Sequence, residues 1–159
     1  RRQRQMCIRD RFSASPGEID MLRREGPESW LSRQMRTQND ISGLEFMKNA
    51  GWSEVNAQRY FFSETVLDPM IWNQLLSGGN GVRKRVAYAL SQFFVASGSR
   101  LGIMWPSHAI AAYWDLLNEH AFGNFRDLLE RVTLSPAIGA FLDSMGNLPD
   151  DPATGRKPD

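Results

Sequence analysis

Apolar residues recur at helical spacing through most of the chain. Between positions 82 and 96 they fall every three or four residues, at Val82, Val86, Ala89, Leu90 and Phe93. This spacing predicts a helix with one apolar stripe facing a core. No stretch alternates apolar and polar residues as a half-buried strand does. The pattern therefore predicts an all-α fold, an irregular multi-helix bundle of six or more short helices. The chain itself is interpreted as a fragment truncated at both ends.

Capping residues mark where the predicted helices begin and end. Ser15-Pro16-Gly17-Glu18 forms a capping box, and Gly26 stops the helix that it opens. Asn80, Asn124 and Ser135 are predicted to cap later helices. The predicted helices cover about 16–25, 27–35, 42–50, 67–76, 82–96, 106–120, 125–132 and 136–144. Because the connections are short, we expect neighbouring helices to pack roughly antiparallel.

The remaining helices carry apolar faces of the same kind. The helix that starts at Pro106 places Ile110, Tyr113, Trp114 and Leu117 on or near one face. The same pattern gives stripes at Ile71, Trp72 and Leu75, and at Phe125, Leu128, Leu129 and Val132. We expect the aromatic residues to form core rather than a binding cage; they are Trp72, Phe93, Phe94, Tyr113, Trp114, Phe122 and Phe125.

The first eleven residues, Arg1 to Arg11, match one reading frame of a sequencing adapter and are interpreted as translated adapter. Removing them takes away five arginines and one aspartate, so the formal net charge moves from +1 to −3. The predicted division is therefore an adapter-derived, disordered tail at 1–11, a helical domain fragment at 12–146 and a polar loop at 147–159.

Composition excludes several kinds of protein. Cys7 is the only cysteine and lies in the adapter-like tail, so neither a disulfide framework nor a cysteine zinc site is predicted. No apolar run reaches the roughly 18 residues of a membrane span. The other basic cluster is Arg83-Lys84-Arg85, which is too small to predict a nucleic-acid partner.

Three blocks in the C-terminal two thirds resemble a large bacterial family, domain of unknown function eighteen hundred. They read VRKRVAYALSQFFV at 82–95, YWDLL with AFGNFRDLL at 113–129, and VTLSPAIG with DPATGRKPD at 132–159. Two departures are that Ser135 replaces the family's usual histidine, and that the family continues into a glutamate-rich helix absent here. The resemblance implies a bacterial, often exported protein, hence a periplasmic or extracellular location, and no established activity.

The polar loop is the predicted binding site. Asn147, Asp150, Asp151 and Asp159, with Asp143 before them, offer the hard oxygen ligands that calcium prefers. Their spacing fits no EF-hand. The favoured interpretation is a solvated loop in which Asp and Asn side chains stabilise turns. Calcium is therefore kept only as a minor alternative, and no other cofactor is predicted.

Charged residues in the helices are given structural roles. Arg126 is predicted either to pair with Glu130 or to reach the loop carboxylates, which places it in the candidate site. Arg83 or Arg85 is expected to be buried and to bind a carboxylate in a bidentate way, and a ligand-binding role is the less favoured alternative. His108 and His120 lie twelve residues apart on one helix and so cannot share a metal; His120 is assigned a capping role.

Nucleophile, phosphate-loop and zinc-protease motifs are absent from the sequence. The leading hypothesis is a non-catalytic structural or interaction module of an exported bacterial protein. Its partner would be an unknown protein or the missing C-terminal half. The alternative is part of a hydrolase-like enzyme whose site is completed by the missing C-terminal region.

Overall fold

The chain folds as a series of short helices joined by turns. The computed structural model describes residues 16–37, 41–55, 59–76 and 80–157. Within these ranges there are no β-strands, so the predicted all-α class is confirmed, and none of the helices has the length and apolar character needed to span a membrane. The α-helices are α1 (Pro16–Glu25), α2 (Pro27–Arg36), α3 (Gly43–Asn49), α4 (Leu67–Leu76), α5 (Gly81–Phe93), α6 (Pro106–Glu119), α7 (Phe125–Thr133) and α8 (Pro136–Phe141).

Helix α6 is the centre of the packing. Its predicted face is confirmed, because Ile110, Tyr113, Trp114 and Leu117 are all buried. The helices packed around it are α3, α4, α5, α7 and α8, together with a short 3₁₀ turn at Gly98–Arg100. Each of these neighbours buries one flank against α6, which is the arrangement expected of short amphipathic helices.

The predicted stripe of α5 is wrong at Ala89 and Phe93, whereas Leu90 packs against the core. The residues that α5 buries are Gly81, Lys84 and Ala87, whereas Phe93 is 71% exposed. The other stripe residues are half-buried, apart from Ala89, which is exposed. The buried face of α5 therefore consists of two small residues and a lysine, and the larger apolar residues lie along its flank. The helix also ends at residue 93 rather than 96.

The periodicity did not predict that polar residues on and beside the helices would be buried. They include Gln34, Gln74, Asn80, Lys84 and Asn118. Lys84 is only 2% exposed. Burying an ammonium group is costly without polar surroundings.

Three predictions about helix starts are confirmed and one is wrong. The side chains of Asn124 and Ser135 accept hydrogen bonds from the first turns of α7 and α8, and Pro16 begins α1. Asn80 precedes α5, but its side chain makes no capping hydrogen bond. Ser15 and the predicted tail at 1–11 lie outside the described residues. Helix α8 ends at Phe141, earlier than predicted.

Two long-range contacts of charged side chains fasten helix ends to the bundle. The Asp115 carboxylate on α6 accepts hydrogen bonds from the backbone N–H groups of Gly43 (2.5 Å) and Leu44 (3.0 Å), which are orphan donors at the start of α3. Burial raises the pKa of Asp115, and these hydrogen bonds act in the opposite direction. A carboxylate at a helix N-terminus also complements the helix dipole.

Arg83 provides the matching contact at two helix C-termini. Its guanidinium donates to the carbonyl oxygens of Asn118 (2.8 Å) and Glu119 (3.3 Å) on α6, and of Met35 (3.1 Å) and Thr37 (3.2 Å) at the end of α2. Of the two arginines expected to bind a carboxylate, Arg83 therefore binds carbonyl oxygens instead, and for Arg85 the expectation stays a prediction. The last carbonyl oxygens of a helix have no hydrogen-bond partner within the helix and carry a partial negative charge, which attracts a guanidinium.

Candidate functional site

An apolar groove lies between α4 and α5, with α6 as its floor. Its volume is about 420 Å³. Leu67, Ile71 and Leu75 line it from α4, at spacings that place them on one helical face. Two other described depressions, beside α2 and beside the turn at 98–102, have more polar linings. The groove is therefore the described concavity best suited to an apolar occupant.

The floor of the groove belongs to the core. Ile110, Tyr113, Trp114 and Leu117 lie on one face of α6, and each is less than a tenth exposed. The Tyr113 hydroxyl donates a hydrogen bond to the carbonyl of Phe94, and burial raises the pKa of Tyr113 to about 12. Because this hydroxyl is neutral and already bonded, the floor offers an occupant apolar contact rather than charge.

The rim of the groove is exposed and aromatic. Trp72 on α4 is 57% exposed and Tyr88 on α5 is 40% exposed, and Val95 extends the α5 side. The prediction that Trp72 belongs to the core is wrong, and so are the same predictions for Phe93 and Phe125. Tyr113 and Trp114 are core residues as predicted. Trp72 faces outward because Met70 and Gln74 occupy the buried side of α4.

The two ends of the groove differ in charge. Helix α5 runs antiparallel to α6, since Arg83 contacts the end of α6 and Phe94 contacts Tyr113 in its middle. At the end where α4 begins, Asp68 lies on the lining and is exposed. Among the described residues that line the groove, it is the only Asp, Glu, Lys or Arg. No ion pair within 4.0 Å joins it to another described residue.

The residues predicted to form a binding loop do not converge in the described part of the chain. Asn147 and Asp150 are exposed, and Asp159 lies outside the described residues. Asp151 is used within its own turn: it accepts from Ala153 N (3.0 Å) and Thr154 Oγ1 (2.8 Å), and its backbone pairs with Arg156.

The turn hydrogen bonds hold the pKa of Asp151 below its ordinary value. In the described ranges, no three residues among His, Cys, Asp and Glu gather into a group that could hold a metal ion. The assignment of this loop as a binding site stays a prediction.

Arg126 is exposed on the first turn of α7, and the predicted ion pair with Glu130 is not formed within the described residues. Its own backbone N–H donates to the cap Asn124 (2.8 Å). Neither does its side chain form an ion pair with a described loop carboxylate. His120 follows α6 as its C-cap residue, so its predicted position at the helix end is confirmed.

A contact between serine and histidine lies on another face. Ser53 Oγ is 3.1 Å from His108 Nε2, and the buried Nδ1 of His108 has no hydrogen-bond partner among the described residues. Burial lowers the pKa of His108, so the ring is neutral near pH 7. In a catalytic triad a carboxylate holds the proton on the equivalent nitrogen. With no such carboxylate, the favoured tautomer carries its proton on Nε2 and donates it to Ser53, so that the buried Nδ1 is left as an unsatisfied acceptor rather than an unsatisfied donor. In that tautomer Nε2 cannot accept the serine proton, so the histidine does not activate the serine.

Sequence reasoning missed the groove because the spacing of apolar residues gives the faces of each helix but not the separation between helices. One signal was available. Helix α4 carries more apolar residues than one face can bury, since Ile71, Trp72, Leu75 and Leu76 all lie within six positions. A surplus of this kind indicates either an internal helix or a second, exposed apolar surface.

Comparison with known proteins gives one match. The model of a family described as "Protein of unknown function (DUF1800)" matches residues 5–152. The match includes residues 5–11, part of the segment interpreted as adapter, and that interpretation stays a prediction. No curated protein and no solved structure matches the chain.

Proposed function

The chain belongs to the DUF1800 family, for which no activity is described, and we propose that it is a non-catalytic interaction module of an exported bacterial protein. The observation that carries this proposal is the groove between α4 and α5. It combines a floor of core residues with exposed aromatic side chains at its rim. Export rests on the family resemblance alone.

Exposed aromatic residues beside a preformed apolar cleft are typical of surfaces that bind other proteins. Tryptophan and tyrosine are enriched among the residues that carry binding energy at interfaces, and they act from well-packed pockets. Trp72 and Tyr88 stand on opposite sides of the groove. The partner is either a separate protein or a further part of the parent polypeptide.

The experiment is a peptide selection against the purified chain. A displayed library of random 16-residue peptides is enriched on the wild-type chain and depleted on Trp72→Ser. We expect peptides that bind the wild type and lose at least tenfold in affinity on the variant. Phe93→Ser is the matched control, because Phe93 is an aromatic residue at least as exposed as Trp72 (71% against 57%) that lies outside the groove lining.

Both substituted side chains are exposed, so circular dichroism should show unchanged helix content for either variant. Peptides that bind both variants as well as the wild type would contradict the proposal. So would a selection that returns no sequence dependent on Trp72.

The alternative, part of a hydrolase-like enzyme completed by a missing C-terminal region, has one observation in its favour, the contact between Ser53 and His108 (3.1 Å). Its test is covalent labelling with a fluorophosphonate, which marks activated serines. Labelling of the wild type that is lost in Ser53→Ala and in His108→Gln would favour the enzyme. Absence of labelling in the full-length parent would count against it.

A further inference from the structure

We propose that the occupant of the groove is an amphipathic helix of a partner protein, about three turns long, with a lysine or arginine facing Asp68. The inference rests on the proposed function and names the partner of the same groove. It follows from the length of the walls, from their helical structure and from the charge at one end.

The walls of the groove have the length of a short helix. Helix α4 contains ten residues, which corresponds to about 15 Å at 1.5 Å per residue. An occupant of about eleven residues would therefore run the full length of the groove. Helix-in-groove recognition uses anchors at positions i, i+3, i+4 and i+7, which fit a concave apolar surface made by other helices.

The walls of the groove are themselves helices, which favours a helix over an extended peptide as the occupant. On the α5 side, Tyr88, Ser91, Gln92 and Val95 follow one another at intervals of three, one and three residues, and the α6 floor repeats this pattern. An extended peptide gains most of its affinity by adding a strand to a sheet edge. The described part of the chain has no β-sheet to offer such an edge.

The charge at one end of the groove predicts a basic residue on the occupant. Asp68 is the single acidic or basic side chain among the described lining residues, and no described lysine or arginine lies within ion-pair distance of it. A cation on the occupant would pair with Asp68 at the rim, where water still reaches both groups. Rim charges of this kind contribute less to affinity than to orientation and partner choice.

The test uses helix-stapled peptides of 14 residues with leucine at positions i, i+3, i+4 and i+7. Two series place lysine, glutamine or glutamate at either end of the leucine stripe. In the series whose end meets Asp68, we expect the lysine peptide to bind about two- to fivefold more tightly than the glutamine peptide, as for an exposed ion pair, and the glutamate peptide to bind most weakly. Fluorescence anisotropy measures each Kd.

Substitution of Asp68 separates charge pairing from general apolar binding. In Asp68→Asn the difference between the lysine and glutamate peptides should vanish, and in Asp68→Lys the order should invert. Asp127→Asn, at an exposed acid on α7 away from the groove, should leave the order unchanged. Raising the salt concentration to 0.5 M should reduce the charge dependence in the wild type.

The outcomes distinguish this inference from the proposed function. If all peptides bind equally to the wild type and to Asp68→Lys, yet lose affinity on Trp72→Ser, the assignment of the cation is wrong and the groove remains an interaction site. If no stapled peptide binds while the library yields non-helical sequences dependent on Trp72, the helical occupant is overturned. If neither experiment gives binding dependent on Trp72, both proposals fail.

Discussion

Replacing Arg83 with methionine keeps the apolar stem of the side chain and removes the guanidinium that joins two helix ends. Two of its hydrogen bonds, to the carbonyls of Thr37 and Asn118, are partly buried, whereas those to Met35 and Glu119 are exposed and would be replaced by water. The guanidinium carbon also lies 4.9 Å from the centre of the Phe122 ring.

The expected cost follows from these contacts. A hydrogen bond from a charged donor contributes about 1.5–3 kcal/mol, so we take the lower value for each of the two partly buried bonds. A partly exposed cation–π contact adds about 0.5–1 kcal/mol. The sum predicts a loss of about 3.5–4 kcal/mol in the free energy of unfolding. For a chain of this size that corresponds to a fall in Tm of roughly 7–16 °C.

The assay is urea and thermal unfolding followed by circular dichroism at the helix band. Arg83→Lys should recover less than half of the loss, because a lysine ammonium cannot reproduce the planar fork that reaches both helix ends. Arg126→Met is the control, since Arg126 is exposed on α7 and forms no ion pair with a described residue. If Arg83→Met melted within about 3 °C of the wild type, roughly the change expected for 1 kcal/mol, the view that this side chain fastens two helices would be refuted.

Three further predictions concern other parts of the chain. Burial lowers the pKa of His108 in the folded chain. The contribution of its neutral ring to the free energy of unfolding should therefore be complete above a pH of about 6.5, the ordinary pKa of histidine, and should be lost as the pH falls from that value towards the lower pKa of the folded state. His108→Gln should remove this dependence in melts between pH 5 and 8. Gly43→Ala should lower the free energy of unfolding by about 1–3 kcal/mol through overpacking, because its new Cβ would lie 2.9 Å from Met70 Sδ. Gly139→Ala is the control: its new Cβ would have its nearest contact at 3.7 Å, so Tm should be unchanged or higher. Millimolar calcium should leave Tm unchanged, because the carboxylate of Asp151 is already used within its turn; a rise of several degrees would restore the loop as a metal site.

The positions of the helices could be predicted because their signals are local. Proline at positions 16, 27, 106 and 136 begins a helix in each case, and Ser135 and Asn124 cap the helices that follow them. These residues act through their own backbone and the next turn, so no knowledge of the tertiary fold was needed. The buried face of α6 could be predicted as well, because its apolar residues greatly outnumber its charged ones.

The faces of α5 could not be predicted in the same way. Periodicity ranks positions by how apolar they are, and it therefore favoured Phe93 over Lys84. Which face is buried depends on how closely two helices approach, and small residues at the contact can outweigh larger apolar ones. The groove and the contacts of Arg83 depend on the same long-range geometry, which appears only when residues more than thirty positions apart come together.

The central position of α6 has a consequence for how the chain is made. The five helices that precede it leave the ribosome before the element against which α3, α4 and α5 pack. Until residue 119 has emerged, the apolar residues with which α3, α4 and α5 contact α6 remain exposed, and exposed apolar surfaces of nascent chains are prone to aggregate. Translation pauses after α6 should therefore improve the yield of folded protein, and pauses just before it should reduce that yield.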